Sequence, residues 1–176
     1  IMAGSLEFIK SVDVPSAVSS VDVTDCFNAN YDVYKVTCLG FSNSTAAQNI
    51  DCKLLNTSNS VITNANYDWA YLRLNDYTGF TEARNTNDTN WENFWGKDDS
   101  GSGETQNVVA YFFNPFSSSS YTFATAQSSN VVNSQLQGTK GISVLTETTS
   151  VAGFQIVFNS YASNNGKISV YGLASN

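Results

Sequence analysis

Apolar and polar residues alternate along most of this chain. The segments YDVYKVTCLG, NIDCKLLN and YDWAYLRLN each repeat similar side chains at every second position. Successive side chains of an extended strand point to opposite faces, so this period indicates β-strands. Clusters such as SNSTAAQ, NTSNS and QGTKG separate the segments and indicate turns. The pattern predicts strands near 5–14, 17–24, 31–40, 48–56, 67–74, 107–114, 120–127, 140–147, 152–158 and 166–172.

Short strands separated by turn signals, with no convincing helix between them, are typical of a β-sandwich. We therefore predict an all-β fold, an antiparallel β-sandwich of jelly-roll type. No internal repeat or linker divides the chain, so residues 1–176 are predicted to form a single domain. One segment, NVVAYFFNP, is apolar on both faces, as a buried central strand would be. The predicted core comprises Phe8, Val36, Ile50, Trp69, Leu72, Val109, Tyr111, Phe123, Val144, Phe154, Ile156, Ile168 and Val170.

The composition changes this picture in two ways. Charged residues make up only 13% of the chain, so Ser, Thr and Asn must supply the polar surface. The net charge of −7 and the scattered basic residues argue against nucleic-acid binding, which needs clusters of Lys and Arg. No apolar run approaches the roughly 20 residues of a membrane span. The first residues do not resemble a signal peptide. We expect no membrane insertion.

The absence of histidine removes the most familiar catalytic and metal-binding arrangements. No phosphate-binding glycine motif is present, and we predict no cofactor and no metal site. A glycoside hydrolase remains the enzyme alternative, because it needs only two carboxyl groups across a cleft. Its candidate residues are Asp68, Asp76, Glu82, Asp98, Asp99 and Glu104.

Two further features have a structural interpretation and a rival one. KDDSGSGET, with Asp98, Asp99 and Glu104, reads as a solvated acidic turn, with calcium binding as the alternative. The three cysteines, Cys26, Cys38 and Cys52, lie near apolar segments. We interpret them as buried free thiols, with one disulfide and one thiol as the alternative.

The segment WENFW places two of the three tryptophans, Trp91 and Trp95, within a polar, turn-rich region. In one interpretation, a short strand packs both indole rings into the core of the sandwich. In the other, the rings form a platform for a sugar or a protein partner, since Trp and Tyr are favoured at interfaces. The candidate ligand-binding residues are Tyr77, Phe80, Trp91, Trp95, Asp98 and Asp99.

Three segments resemble a known group of proteins. SSVDVTDCFNANYDVYKV, VVAYFFNPFSSSSYTFATAQSS and GKISVYGLAS occur along the chain in an order similar to that in small virion proteins of marine tailed phages. Such proteins are often labelled as tail fibre or structural proteins. The resemblance rests on strand patterns and carries no catalytic motif. It implies a trimeric β-sandwich exposed on the virion.

The resulting functional expectation is a non-enzymatic phage structural protein on the particle surface, a capsid-decoration or fibre component that acts through protein–protein assembly. The alternative is a tail-fibre receptor-binding protein that recognises a host surface glycan. A carbohydrate-binding module of host origin is a third hypothesis. The expected location is the virion surface, after synthesis in the host cytoplasm.

The expected partners are copies of the chain itself, as a homotrimer, and other virion proteins. Exposed sheet edges invite pairing, and this chain has little charge with which to prevent it. We therefore expect an edge or an apolar face to be covered by another copy or by another virion protein.

Overall fold

The structure is a computed structural model that describes residues 5–43, 48–98, 105–159 and 163–174. These residues form strands and turns, and no helix occurs among them. The strands are β1 (Leu6–Asp13), β2 (Ser20–Val23), β3 (Val33–Asn43), β4 (Gln48–Asn56), β5 (Tyr67–Asn75), β6 (Gly79–Asp88), β7 (Lys97–Asp98), β8 (Gln106–Phe113), β9 (Thr122–Val132), β10 (Gln135–Leu145), β11 (Val151–Phe158) and β12 (Ser163–Leu173).

The strands form two antiparallel sheets of unequal size. The large sheet has eight strands in the order β1-β12-β3-β8-β9-β10-β5-β6, and the small sheet has four in the order β2-β11-β4-β7. The buried apolar side chains of both sheets form one core cluster. The all-β antiparallel sandwich predicted from the sequence pattern is confirmed.

All ten predicted strands are present, and β4 has the predicted bounds. The prediction missed β6 and β7, both of which lie in the turn-rich part of the sequence. The ten residues of β6, GFTEARNTND, show no apolar alternation, and eight of them are exposed. Pairing with β5 makes this segment a strand, because Ala70, Leu72 and Leu74 lie opposite residues of β6 in a regular ladder. Tertiary pairing of this kind overrides local preference.

The core contains a compact group of aromatic rings between the sheets. Phe112 of β8 stacks on Phe154 of β11 with ring centroids 5.5 Å apart, and Trp95 lies 5.3 Å from Phe154. Such offset and tilted pairs add to the stabilisation from buried area. The predicted core residues that the structure buries are Val36, Ile50, Trp69, Phe154, Ile156, Ile168 and Val170.

The core prediction is wrong at six other positions. Val144 is half-buried, and five residues are exposed: Phe8, Leu72, Val109, Tyr111 and Phe123. The physical reason is the alternation of side chains along a strand. In β8, Val108, Ala110 and Phe112 face the small sheet, so the residues between them face outward.

Cys26, Cys38 and Cys52 are free and buried, which confirms the interpretation of three free thiols. Burial raises the pKa of each thiol, because a thiolate would lose its hydration inside the core. The thiols therefore behave as small apolar side chains in this fold.

Candidate functional site

The segment around the two tryptophans is a turn held against β4. Trp91 and Cys52 exchange backbone hydrogen bonds of 2.9 and 3.0 Å. Further along, the N–H of Trp95 donates to the carbonyl of Ile50 at 3.0 Å. Between them the chain turns, with Asn93 at a φ of +55°. Asn tolerates this left-handed conformation better than most residues, so the WENFW sequence suits a turn.

Both indole rings are completely buried. Trp91 donates its indole N–H to the carbonyl of Val144 in β10 at 3.1 Å. The rings of Trp91 and Trp95 pack on Phe94 with centroids 5.3 and 4.8 Å apart. The structure thus favours the core interpretation for both tryptophans, through a turn where the sequence pattern suggested a strand. Neither ring offers a surface to an external ligand.

A buried carboxyl group anchors this turn. Asp51 of β4 accepts hydrogen bonds from the backbone N–H of Asn93 at 2.7 Å and from the amides of Asn90 and Asn159 at 2.7 and 2.6 Å. Burial raises the pKa of this carboxyl group, and the three donors partly oppose that rise. All the donors hold the turn or the end of β11, so Asp51 has a structural role.

The other sequence-predicted site residues do not meet at one place. Tyr77 lies exposed in the turn between β5 and β6, where its hydroxyl accepts a hydrogen bond from Gln137 at 3.2 Å. Phe80 lies on β6 and is 73% exposed. The backbone of Asp98 pairs with Gln48 in the small sheet. The side chain of Asp98, all of Asp99 and the rest of the calcium candidate up to Glu104 lie outside the described residues.

A different surface gathers chemically distinctive side chains, namely the face of the large sheet that points away from the small sheet. We call this the outer face. Phe123 lies opposite Val144, and Tyr111 and Ile142 flank Thr125 in the neighbouring row. The apolar side chains at its centre, here called the outer patch, are Val109, Tyr111, Phe123, Ile142 and Val144.

Open grooves run beside Ile142 on this face. The groove toward β6 has a volume of about 670 Å³, with a floor that includes Phe123 and Ile142. Asp68, Arg84 and Asn85 contribute polar groups to its lining. A second groove, on the other side of Ile142, measures about 640 Å³ and is lined by Tyr111 and Val109 among others. Apolar floors with a few polar groups are typical of binding surfaces.

The outer face is not acidic, although the chain carries a net charge of −7. The register places Lys35 opposite Tyr111, Lys140 opposite Leu72 and Arg84 opposite Ala70. Asp68 and Glu82 are the acidic residues of the same rows. Basic and acidic groups are therefore roughly balanced around an apolar centre.

Asp68 and Glu82 of the outer face do not lie at the spacing of a glycosidase pair. Glu82 lies opposite Leu72, four residues along β5 from Asp68. Four residues of a strand span about 13 Å, beyond the roughly 5–9.5 Å between glycosidase carboxyl groups. Within the described residues, no group of His, Cys, Asp or Glu side chains could hold a metal ion.

The sequence pattern assigned Val109, Tyr111, Phe123 and Val144 to the core, so it did not predict the outer patch as a surface. One signal pointed to it. The segment NVVAYFFNP is apolar on both faces, and such strands occur where both faces are covered. In the structure, β8 is indeed central in its sheet, but Val109 and Tyr111 are each 38% exposed. This mismatch between composition and exposure marks the outer face as a candidate binding surface.

Comparison of the chain with protein-family models, with curated proteins and with solved structures finds no match. Among the described residues, none lies in a helix long and apolar enough to cross a membrane.

Proposed function

We propose that this protein is a non-enzymatic structural component of a phage virion, exposed on the particle surface, that acts through protein–protein assembly. The observation that carries the assembly proposal is the outer patch, where Tyr111, Phe123 and Ile142 are 38%, 48% and 65% exposed. Contiguous exposed apolar groups mark interaction surfaces on soluble proteins. The resemblance to small virion proteins supports the proposed location on a phage particle.

The composition of the outer patch suits a protein partner. Aromatic side chains are enriched at interface centres, where they bury a large area with few rotatable bonds. Polar groups at the edge, such as Lys140 and Gln127, leave a rim that solvent can reach. The proposed partners are copies of this chain, in the trimer that the resemblance implies, or another virion protein.

The test is incorporation of tagged variants into particles during infection. Tyr111→Ser combined with Phe123→Ser removes both exposed rings of the outer patch. We expect the amount of this variant in purified particles, measured by quantitative mass spectrometry, to fall about ten-fold or more, as loss of about 1.4 kcal/mol or more of binding energy requires. The matched control is Val157→Thr, on the far side of the small sheet. Equal incorporation of both variants would contradict assembly through the outer patch, and absence of the wild-type chain from particles would contradict the virion setting.

The groove toward β6 favours the second candidate, a tail-fibre protein that binds a host surface glycan. Phe123 provides an apolar ring surface there, and Asp68, Arg84 and Asn85 provide hydrogen-bonding groups. The test is adsorption of the purified protein to host cells and to isolated host polysaccharide. Loss of adsorption in Asn85→Ala and Phe123→Ala, with wild-type folding by circular dichroism, would select this candidate. Release of reducing ends from the polysaccharide would instead indicate the hydrolase.

A further inference from the structure

Among the described strands, β6 forms one edge of the large sheet and pairs only with β5. Its ladder with β5 is regular from Asn75–Gly79 to Trp69–Asn85, and the irregularity lies beyond Asn85. Every residue of this regular stretch is exposed except Ala83, which is half-buried. The sequence of β6 contains no proline. The unpaired N–H and C=O groups of such an edge are a template for another strand.

The charges on this edge are self-complementary. When two copies of β6 pair antiparallel about a two-fold axis at Ala83, Glu82 of each copy lies opposite Arg84 of the other. Both residues point to the outer face, as the pairs Leu72–Glu82 and Ala70–Arg84 show. Opposite charges directly across an antiparallel pair stabilise it. The remaining opposite pairs are Thr81 with Asn85 and Phe80 with Thr86.

The same charges disfavour the neighbouring registers. An axis at Glu82 would place the two glutamates opposite each other, and an axis at Arg84 would do the same with the arginines. Like charges directly opposite are destabilising. An axis between two residues would oppose side chains that point to different faces, which the pleat does not allow. Only the axis at Ala83 brings unlike charges together.

Neither Glu82 nor Arg84 forms an ion pair within the described part of the chain. The opposite edge of the sheet, β1, differs in this respect. An irregularity between Phe8 and Lys10 interrupts its ladder. The ammonium group of Lys10 donates to the carbonyl of Thr24 at 2.6 Å. Glu7 accepts a hydrogen bond from the hydroxyl of Tyr31 at 2.5 Å. The charged groups of β1 are thus engaged within the chain. On β6 the carboxylate of Asp88 is engaged by Trp69 and Asn85, whereas Glu82 and Arg84 have no ion-pair partner among the described residues.

We infer that two copies of this chain join through β6, antiparallel and centred on Ala83, into one continuous sheet with eight strands from each copy. This inference rests on the proposed assembly function and names a second copy as one partner. A two-fold contact closes at two copies. It therefore predicts a dimer where the resemblance implies a trimer, and the molar mass in solution separates the two.

The experiment uses charge reversal on the full chain. Glu82→Arg gives the edge two positive charges, and Arg84→Glu gives it two negative charges. Because of the two-fold symmetry, each substitution replaces two pairs of opposite charge across the interface with two pairs of like charge. We therefore expect either variant alone to raise the dimer dissociation constant about ten-fold or more. The double variant restores opposite charges and should dimerise like the wild type. Mixing the two single variants should yield a heterodimer, because each edge then meets its complement. Analytical ultracentrifugation with one labelled chain measures all four cases.

Lys140→Glu is the charge-matched control for Arg84→Glu. It makes the same change on the outer face, two strands in from the edge, and it should leave the dissociation constant unchanged. Amide exchange gives an independent readout, since protection of residues 80–86 should rise with protein concentration. A wild-type chain that stays monomeric, or single variants that dimerise like the wild type, would overturn the inference.

The failure of this inference can be told apart from failure of the proposed function. The edge variants keep the outer patch, and the Tyr111→Ser and Phe123→Ser variant keeps the edge. If charge reversal leaves self-association intact while loss of the outer patch abolishes it, the assembly function stands and the edge inference fails. If charge reversal abolishes dimers while particle incorporation is unaffected by loss of the patch, the edge inference stands and assembly through the patch fails.

Discussion

The two faces of the large sheet can be compared within β9 and β10, where they invert the usual arrangement. The inward side chains of β9 are small or polar and include Thr122, Ala124 and Ser128, all of them buried. The outward side chains include Phe123, and the outward side of β10 carries Ile142. A sheet with one covered face normally shows the opposite distribution, apolar inside and polar outside.

The turn that contains the tryptophans explains the inner half of this inversion. The indole of Trp91 donates to the backbone of Val144, and Phe94 is 6% exposed. These rings fill the space beneath β9 and β10, so small side chains suffice on the inner face. Close packing leaves no room there for a second layer of large residues. The described residues offer no such explanation for the apolar residues on the outer face, and the proposed binding partner would supply one.

The largest expected difference in the free energy of unfolding is between substitutions at two adjacent residues of β8. Phe112 is fully buried and stacks on Phe154, whereas the next residue on the outer side, Tyr111, is 38% exposed. We expect Phe112→Ala to lower the free energy of unfolding by about 3–5 kcal/mol, because it leaves a cavity among the rings. Tyr111→Ala should cost about 1 kcal/mol or less. Urea unfolding followed by tryptophan fluorescence measures both, and equal losses would contradict the assignment of the two faces.

The next effect concerns the anchor of the inner turn. Asp51→Asn replaces a carboxylate that accepts three hydrogen bonds with an amide that turns one donor toward them. We expect the free energy of unfolding to fall by about 1–3 kcal/mol. Asn90→Ala is the matched control, since it removes one of the three donors and leaves the carboxyl group in place.

The pH dependence of this difference has a defined sign. Burial raises the pKa of Asp51 in the folded protein, so the folded state binds its proton more tightly than the unfolded state does. The contribution of Asp51 to stability is therefore present below the unfolded pKa, near 3.9, and declines as the pH rises through the folded pKa. The advantage of the wild type over Asp51→Asn should shrink across that window. A difference that grows with pH would contradict the raised pKa.

Much of the fold could be predicted from the sequence, because strands that bury one face show apolar and polar residues alternating with a period of two. The ladder of β3 with β12 pairs Val36 with Val170 and Cys38 with Ile168, and their alternation is visible in the sequence. Strand β6 could not be predicted in this way. None of its residues is fully buried, so they need not alternate between apolar and polar. Its existence depends on the hairpin with β5, which is a tertiary property.

The candidate site was less predictable, for two physical reasons. First, alternation identifies two faces but does not say which one is inside when both are apolar, as at Val108 and Val109 in β8. Second, the residues that pack on a face determine which face is inside, and here they include Trp91 and Trp95 in the turn that precedes β7 and β8. The sequence suggested those two rings as an alternative platform for a ligand, whereas both are buried and the rings of the outer patch are those of Tyr111 and Phe123.

A smaller effect of opposite sign on the free energy of unfolding is expected at an inward-facing residue of β9. Thr122 is fully buried, and its hydroxyl oxygen has no hydrogen-bond partner among the described residues. Thr122→Val keeps the β-branched shape and removes the unpaired hydroxyl. We expect the free energy of unfolding to rise by about 1 kcal/mol, since an unsatisfied buried polar group costs about 1–3 kcal/mol. Thermal and urea unfolding would both record the gain, and a loss of stability would show that the hydroxyl is satisfied.

The smallest effect on stability is expected at the centre of the outer patch, where Ile142 is 65% exposed. Ile142→Thr retains the β-branched shape that a strand favours, so local conformation is preserved. Because the side chain of Ile142 points away from the core, we expect the free energy of unfolding to change by no more than about 0.5 kcal/mol. Retention on a hydrophobic-interaction column should fall, because the substitution removes exposed apolar area between the two grooves. The control Val157→Thr, a half-buried position of the small sheet, should change retention less. If Ile142→Thr destabilises the chain by several kcal/mol, the outer face is a second core, and its residues need no partner.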